Sequence, residues 1–182
     1  MYIFLVPLLL GFAFNLASAF TAAFCRRLGE RLGSALSVIL RDILGIPVWA
    51  IGFVLAIRAP SPVLVEPTAV TKGLGWFMVS AGGLIILVAL ATIRLRAAAP
   101  STRDALAQSG IYAVVRHPIH TGTLIEFMGL LLLKPMRTTA LACLLGLVWV
   151  LVQTKLEETD LLQRLPAYRE YMKKVPRYLP RF

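Results

Sequence analysis

Apolar side chains run almost unbroken over residues 1–24, again over 34–57, and again over 74–93. A helix needs about 20 such residues to cross the hydrocarbon core of a bilayer, so each run predicts a spanning helix. Two shorter runs, 119–133 and 138–154, flank the turn Lys134-Pro135-Met136-Arg137. Each is at the low end of spanning length, and together they read as a helical hairpin. The pattern predicts an all-α integral membrane protein with about five transmembrane helices, the fourth and fifth forming the hairpin. Residues 1–24 resemble a secretory leader, with Ala17-Ser18-Ala19 as a cleavage-like site. However, no basic residue precedes the run and Arg26-Arg27 follow it directly, so a retained helix is expected.

Beyond residue 154 the pattern changes. Leu156, Leu161, Leu162 and Leu165 repeat at helical spacing up to Pro166, then Tyr168, Tyr171, Met172 and Val175 up to Pro176. These predict two amphipathic pieces of a cytoplasmic tail lying along the membrane interface. Basic residues fix the expected orientation. Arg26, Arg27 and Arg31 fall in the first connection, Arg94, Arg96, Arg103 and Arg116 in the third, and seven in the tail; the second holds Arg58 and Lys72, the fourth Lys134 and Arg137. The alternation 3, 4 and 7 against 2 and 2 puts the N-terminus outside and the tail in the cytoplasm of a multi-pass cytoplasmic-membrane protein.

Composition agrees. Hydrophobic residues make up 58% of the 182, charged residues only 15%, and mean hydropathy is +0.78. Soluble domains carry about 25% charge. The net charge of +10 would point to nucleic acid in a soluble protein. Between apolar runs it reads as topology and contact with anionic headgroups, so no nucleic-acid partner is expected. One membrane domain over 1–182 is expected, with 1–100 as helical scaffold. Cys25 and Cys143 are too far apart in sequence for a zinc motif.

Four groups of residues could carry chemistry. In Gly110-Ile111-Tyr112 to Gly122, Pro118 suits the first position of a helix, whose free N–H groups attract anions; Arg116 and His117 stand just before it. A capped helix with Arg116 at lipid headgroups is the plainer account. Glu126 shares a helix face with Gly122 and Gly129, making a shallow groove with one carboxyl group inside the membrane; a protonated side chain bonded to a neighbouring helix would serve as well. Glu157-Glu158 end the fifth helix, where the helix dipole opposes them and a cation, a ligand or Lys155 or Arg164, should compensate. Tyr168, Tyr171 and Arg177 could close over a ligand or simply pack. Arg41-Asp42 reads as a structural pair. His117 and His120 are the only histidines, and Pro118 lies between them, so no metal is expected.

The blocks Gly110-x-Tyr112-x-x-x-Arg116-His117-Pro118-x-x-x-Gly122, Glu157-Glu158 and Tyr168-x-x-Tyr171-x-x-x-Val175-Pro176-Arg177-x-x-Pro180 together resemble the isoprenylcysteine carboxyl methyltransferase family and the related membrane phospholipid methyltransferases. The resemblance covers residues 102–182, the expected cofactor-binding and catalytic part. It implies methyl transfer from S-adenosyl-L-methionine to a lipophilic substrate, foremost the carboxyl group of an isoprenylcysteine-like molecule, with a phospholipid or other small amine or thiol as the alternative. It implies catalytic roles for Arg116 and for Glu157 or Glu158, with Arg116 orienting an anionic substrate. It implies cofactor contacts from Tyr112, His117, Pro118, Gly122, Glu157, Glu158, Tyr168, Tyr171 and Arg177. The substrate would enter laterally from the bilayer and meet Arg116, His120, Glu126 and Gly129. The family commonly has tyrosine where His120 stands, and Phe-Gly where Leu165-Pro166 stand. No glycine-rich turn follows a strand, which excludes a Rossmann-type methyltransferase. A non-catalytic protein on the same scaffold, or a nicotinamide-dependent sterol reductase, are the other classes; the chain is short for the second.

Overall fold

The computed structural model describes residues 2–93 and 106–181, so Arg94, Arg96 and Arg103 of the charge count lie outside the described residues. The described residues form helices joined by short loops: α1 (Leu5–Ser18), α2 (Thr21–Leu28), α3 (Glu30–Val38), a π-helical segment Ile39–Gly45, α4 (Ile46–Arg58), α5 (Ala69–Ile93), a single 3-10 turn Gly110–Ala113, α6 (Pro118–Leu133), α7 (Arg137–Arg164) and α8 (Tyr168–Lys174). Three stretches are long and apolar enough to cross a membrane: Glu30–Arg58, Ala69–Ile93 and Arg137–Arg164. The apolar helix α6 is shorter than these.

The first run differs from the straight helix expected. It breaks after Ser18, and α1 and α2 are bent by 64°. The cause is local: Ser18 Oγ donates to Asn15 O at 2.6 Å, and Thr21 Oγ1 donates to Ser18 O at 3.3 Å, diverting the carbonyls that would continue the ladder. Gly29, at φ 82°, then reverses the chain into α3. The second run is one continuous stretch from α3 to α4, loosened to π geometry just ahead of Pro47, whose ring and missing N–H disturb the regular ladder. Asn15 Nδ2 donates to Arg41 O at 3.3 Å within this segment.

The hairpin of α6 and α7 is present, but α7 runs on to Arg164. The first predicted tail piece is therefore the end of a 28-residue helix, and only α8 is separate. At the end of the bundle away from α8, the loop between α4 and α5 meets the α6–α7 turn: Leu64 N–H donates to Pro135 O at 2.7 Å and Arg137 N–H to Pro62 O at 3.1 Å. The second and fourth connections thus share one end.

An aromatic core ties the two halves together. Phe12 of α1 stacks on Trp149 of α7 with centroids 4.8 Å apart, and Phe53 of α4 stacks on Phe127 of α6 at 4.9 Å. Along α5 and α6 the packing is by backbone: a Cβ on Gly82 would come within 2.6 Å of Gly122 O, and one on Gly129 within 2.8 Å of Gly75 O. Only small residues permit such an approach between membrane helices. This seam sets where the start of α6 sits.

Candidate active site

α6 begins at Pro118, with His117 as its cap residue. Pro fits this first position because its fixed φ and missing N–H are no loss there. The chain after α8 folds back over this start. Arg116 N–H donates to Pro176 O at 2.8 Å and His117 N–H to Arg177 O at 3.1 Å. Thr121 Oγ1 adds a bond to Tyr178 O at 3.0 Å. The two backbone N–H groups just before the start of α6 therefore hold the tail.

Glu158 is the centre of that closure. Its side chain is 5% exposed, and Arg116 Nη2 lies 2.9 Å from Oε1. Arg177 donates to both carboxylate oxygens, with its Nε 3.2 Å from Oε1, and His117 Nε2 stands 3.3 Å from Oε1. The bond to Glu158 also raises the Arg177 pKa. Arg116 spends its remaining donors on the end of α8: Nη1 donates to Met172 O at 2.9 Å and to Val175 O. Its Nε and Nη2 both serve Glu158. Four of the five guanidinium N–H groups are thus occupied within the protein.

Glu157 points elsewhere. Its carboxylate is 32% exposed, with Oε2 3.7 Å from His117 Nδ1 and Oε1 3.9 Å from His120 Nε2. Gln153 Nε2 donates to Oε1 at 2.8 Å. The two imidazoles stack with centroids 5.5 Å apart. Although separated by Pro118 in sequence, the histidines thus converge with a carboxylate one helix away.

Arg116, His117, His120 and Glu157 line a cavity of about 580 Å³ together with Tyr112, Pro118, Tyr168 and Tyr171. Tyr171 OH donates to Tyr112 O, pinning α8 to the 3-10 turn. Burial pushes the Tyr171 phenol up to about 12 and raises Tyr112 and Tyr168 as well. Replacing Tyr171 by phenylalanine removes one buried hydrogen bond and is expected to cost about 1 kcal/mol, read as a lower unfolding midpoint in detergent. The wild-type bond needs the phenol proton. Its contribution is complete below pH about 10 and disappears as pH climbs through about 12, because the folded pKa is the higher one. A variant with an unchanged midpoint at neutral pH would remove this tie.

Five predicted residues are not among those lining the cavity: Glu158 and Arg177, which pair with each other behind it, and three in the α5–α6 seam. Gly122 and Gly129 face α5 across the backbone seam, and the half-buried Glu126 lies beside Gly82 and Gly83 in the same seam. Conversely, Asn15, Ser18, Ser37, Arg41 and Asp42 line the cavity though sequence reasoning confined the site to 102–182. Arg41 and Asp42 do pair, at 2.7 Å, and they face the cavity while doing so. The buried Asn15 and Ser18 inside an otherwise apolar run were the available signal. Asp160 accepts from Ala22 N–H at 2.7 Å and from Arg164 Nε at 2.7 Å, and so anchors α2 to α7 beside the cavity.

Among curated proteins and solved structures, none matches the chain. One family model, phospholipid methyltransferase, matches residues 70–169. That span contains α5 but for its first residue, the 3-10 turn, α6 and all of α7, and therefore both histidines and both glutamates of the site. With more than half of its length in that match, the chain belongs to the phospholipid methyltransferase family.

Proposed function

We propose that the protein transfers a methyl group from S-adenosylmethionine to an amine carried by a membrane lipid. The observation that carries the choice of acceptor is the state of Arg116. A carboxylate acceptor needs a cation to orient it, and Arg116 is committed to Glu158, Met172 and Val175. The other arginines lining the cavity, Arg41 and Arg164, are paired with Asp42 and Asp160. What faces the cavity in reach of a ligand is the Glu157 carboxylate with two imidazoles, a set suited to a cationic nitrogen. The isoprenylcysteine carboxyl group implied by the resemblance fits this lining less well.

The cavity also suits the cofactor. Its volume lies within the range of about 300–1,000 Å³ usual for small-molecule sites. Tyr112, His117, Pro118, Tyr168 and Tyr171 would hold the cofactor, with phenol faces available to a sulfonium. Glu158 and Arg177 act one step back, by holding the tail shut over the site. When bound, the cofactor supplies an electrophilic methyl group. The protein supplies a dry pocket that aligns acceptor and methyl. Ile86, Leu90 and Ile93 of α5, with Ile119 of α6, form an apolar wall of the cavity on which the acceptor's acyl chains can rest while its headgroup reaches Glu157.

The test pairs calorimetric binding of S-adenosylhomocysteine with methyl transfer to phosphatidylethanolamine vesicles and to an S-farnesylcysteine derivative. Saturable binding and at least about ten-fold faster methylation of the amine lipid are expected, since one well-placed charge contact is worth that factor. Preference for the farnesylcysteine would overturn the acceptor assignment. No binding by folded protein would move the chain to a non-catalytic role.

A further inference from the structure

The two histidines have their protons assigned by their neighbours. Thr154 Oγ1 donates its single proton to Val150 O at 2.8 Å, and lies 2.9 Å from His120 Nδ1. With that proton on Val150 O, the hydroxyl offers a lone pair to the imidazole and accepts from Nδ1–H. In the neutral ring, Nε2 is then bare. The same reasoning applies to His117, whose Nε2 faces the Glu158 carboxylate at 3.3 Å. In the neutral tautomer that puts the proton on Nε2, toward this carboxylate, Nδ1 is the free acceptor. Both bare nitrogens turn toward Glu157, at 3.9 and 3.7 Å.

In these neutral tautomers three acceptors converge, and the one neighbouring donor is Gln153 Nε2 on Glu157 Oε1. One ring nitrogen from each histidine and one carboxylate oxygen of Glu157 lie within 4.8 Å of one another. A single nitrogen placed among three such atoms is within about 2.8 Å of all of them, which is hydrogen-bond distance. A primary ammonium offers three N–H donors to match. His120 is 8% exposed and reaches the cavity wall, so a ligand there is shielded from water.

Resting on the reading of the acceptor as an amine, we propose that His117 Nδ1, His120 Nε2 and Glu157 form its ammonium subsite, with His120 Nε2 as the base that deprotonates it. An ammonium has no lone pair and cannot attack a methyl group. His120 Nε2 takes one N–H proton, leaving the nitrogen a free pair. That pair forms the new C–N bond as the C–S bond of the sulfonium donor breaks, and sulfur keeps the bonding pair as a neutral thioether. The imidazolium then returns its proton to water through the open side of Glu157. The histidine that replaces the family's usual tyrosine thereby gains a specific role.

The test is His120→Gln, assayed with phosphatidylethanolamine vesicles across pH 7 to 10 and, separately, for S-adenosylhomocysteine affinity. General-base catalysis contributes about 10²–10⁴ in rate. A loss of about 100-fold or more is expected at pH 7, shrinking as pH rises and more amine arrives unprotonated. Affinity for S-adenosylhomocysteine, which shows that the variant is folded, is expected to stay within about two-fold. If that affinity falls with the rate, the three acceptors hold the cofactor's own ammonium and the proposal is overturned. A loss that does not vary with pH overturns the role as base. Zinc binding at micromolar concentration by wild type but not by the variant, with inhibition of turnover, makes this a metal site instead. Should His120→Gln lose its fold, Thr154→Val carries the same test, because it frees the imidazole proton to move to Nε2; a roughly ten-fold loss with the same pH dependence is expected. A wild-type protein that methylates farnesylcysteine and ignores the amine lipid fails earlier, at the acceptor, and is distinguished by that.

Discussion

Glu158→Ala is expected to abolish methyl transfer and to loosen the C-terminal tail at once. The carboxylate meets Arg116, Arg177 and His117, and its side chain and that of Arg116 are 5% and 9% exposed. Removing one partner of a buried ion pair leaves the other charge unpaired and costs about 3–5 kcal/mol. Arg177 is 40% exposed, so its share is screened by solvent and small. The larger loss is therefore at Arg116, which also caps the carbonyls at the end of α8. With the guanidinium unpaired, the backbone bonds from Arg116 and His117 to Pro176 and Arg177 lose their clamp, and the cavity opens to water. Turnover is expected to fall by at least about 100-fold, the scale of losing water exclusion and alignment together. Proteolysis after Leu165 should become faster, and the unfolding midpoint lower. Glu157→Gln is the contrast: its carboxylate is partly exposed and holds no tail residue, so the tail should stay protected while turnover falls. An intact tail in Glu158→Ala, with turnover within a few-fold of wild type, would show that the ion cluster neither closes the site nor supports it.

Arg116→Lys belongs to the same argument. Lysine offers one point charge where the guanidinium bonds Glu158 and two carbonyls in a fixed fork, so it is expected to behave as a loss rather than a conservative change.

Much of this arrangement was legible in the sequence because it depends on local chemistry. Continuous apolar runs announced α5 and α7, and Pro118 after Arg116-His117 announced the start of α6. Glu157-Glu158 stood out as carboxylates at an expected helix end; α7 instead runs on to Arg164, and it is the burial of Glu158, not the helix dipole, that calls for its arginines. What the sequence did not reveal depends on distance in space. Two adjacent glutamates on one helix lie about 100° apart around its axis, and nothing local says which turns toward the tail; the fold sends Glu158 to the arginines and Glu157 to the cavity. Two histidines separated by a proline look unpromising as a cluster until a third group arrives from α7. The break after Ser18 was hidden because serine and threonine are tolerated in helices, and only their bonds to preceding carbonyls reveal the bend. The groove assigned to Gly122, Glu126 and Gly129 was correct as a face of small residues, but the occupant of that face is α5.

That last point yields the second large effect, and it can be read as a difference in sign. Gly122→Ala places a Cβ 2.6 Å from Gly82 O and 2.7 Å from Ile86 Cγ1, distances that the backbone of α5 cannot relieve without moving. Forcing even a methyl into such packing costs about 1–3 kcal/mol. Gly73→Ala, in the first turns of α5, meets nothing within 4 Å, and there the lower helix propensity of glycine makes alanine stabilising by about 0.5–1 kcal/mol. The same substitution is therefore expected to lower the unfolding midpoint in detergent at position 122 and to raise it at position 73. Activity should follow the first and ignore the second, because Gly122 lies one turn past His117 and two residues past His120. A shift of α6 by a few tenths of an ångström moves both imidazoles relative to Glu157 on α7. Equal midpoints for the two variants would mean that α5 and α6 are not in backbone contact, and the position of the α6 start would then need another cause.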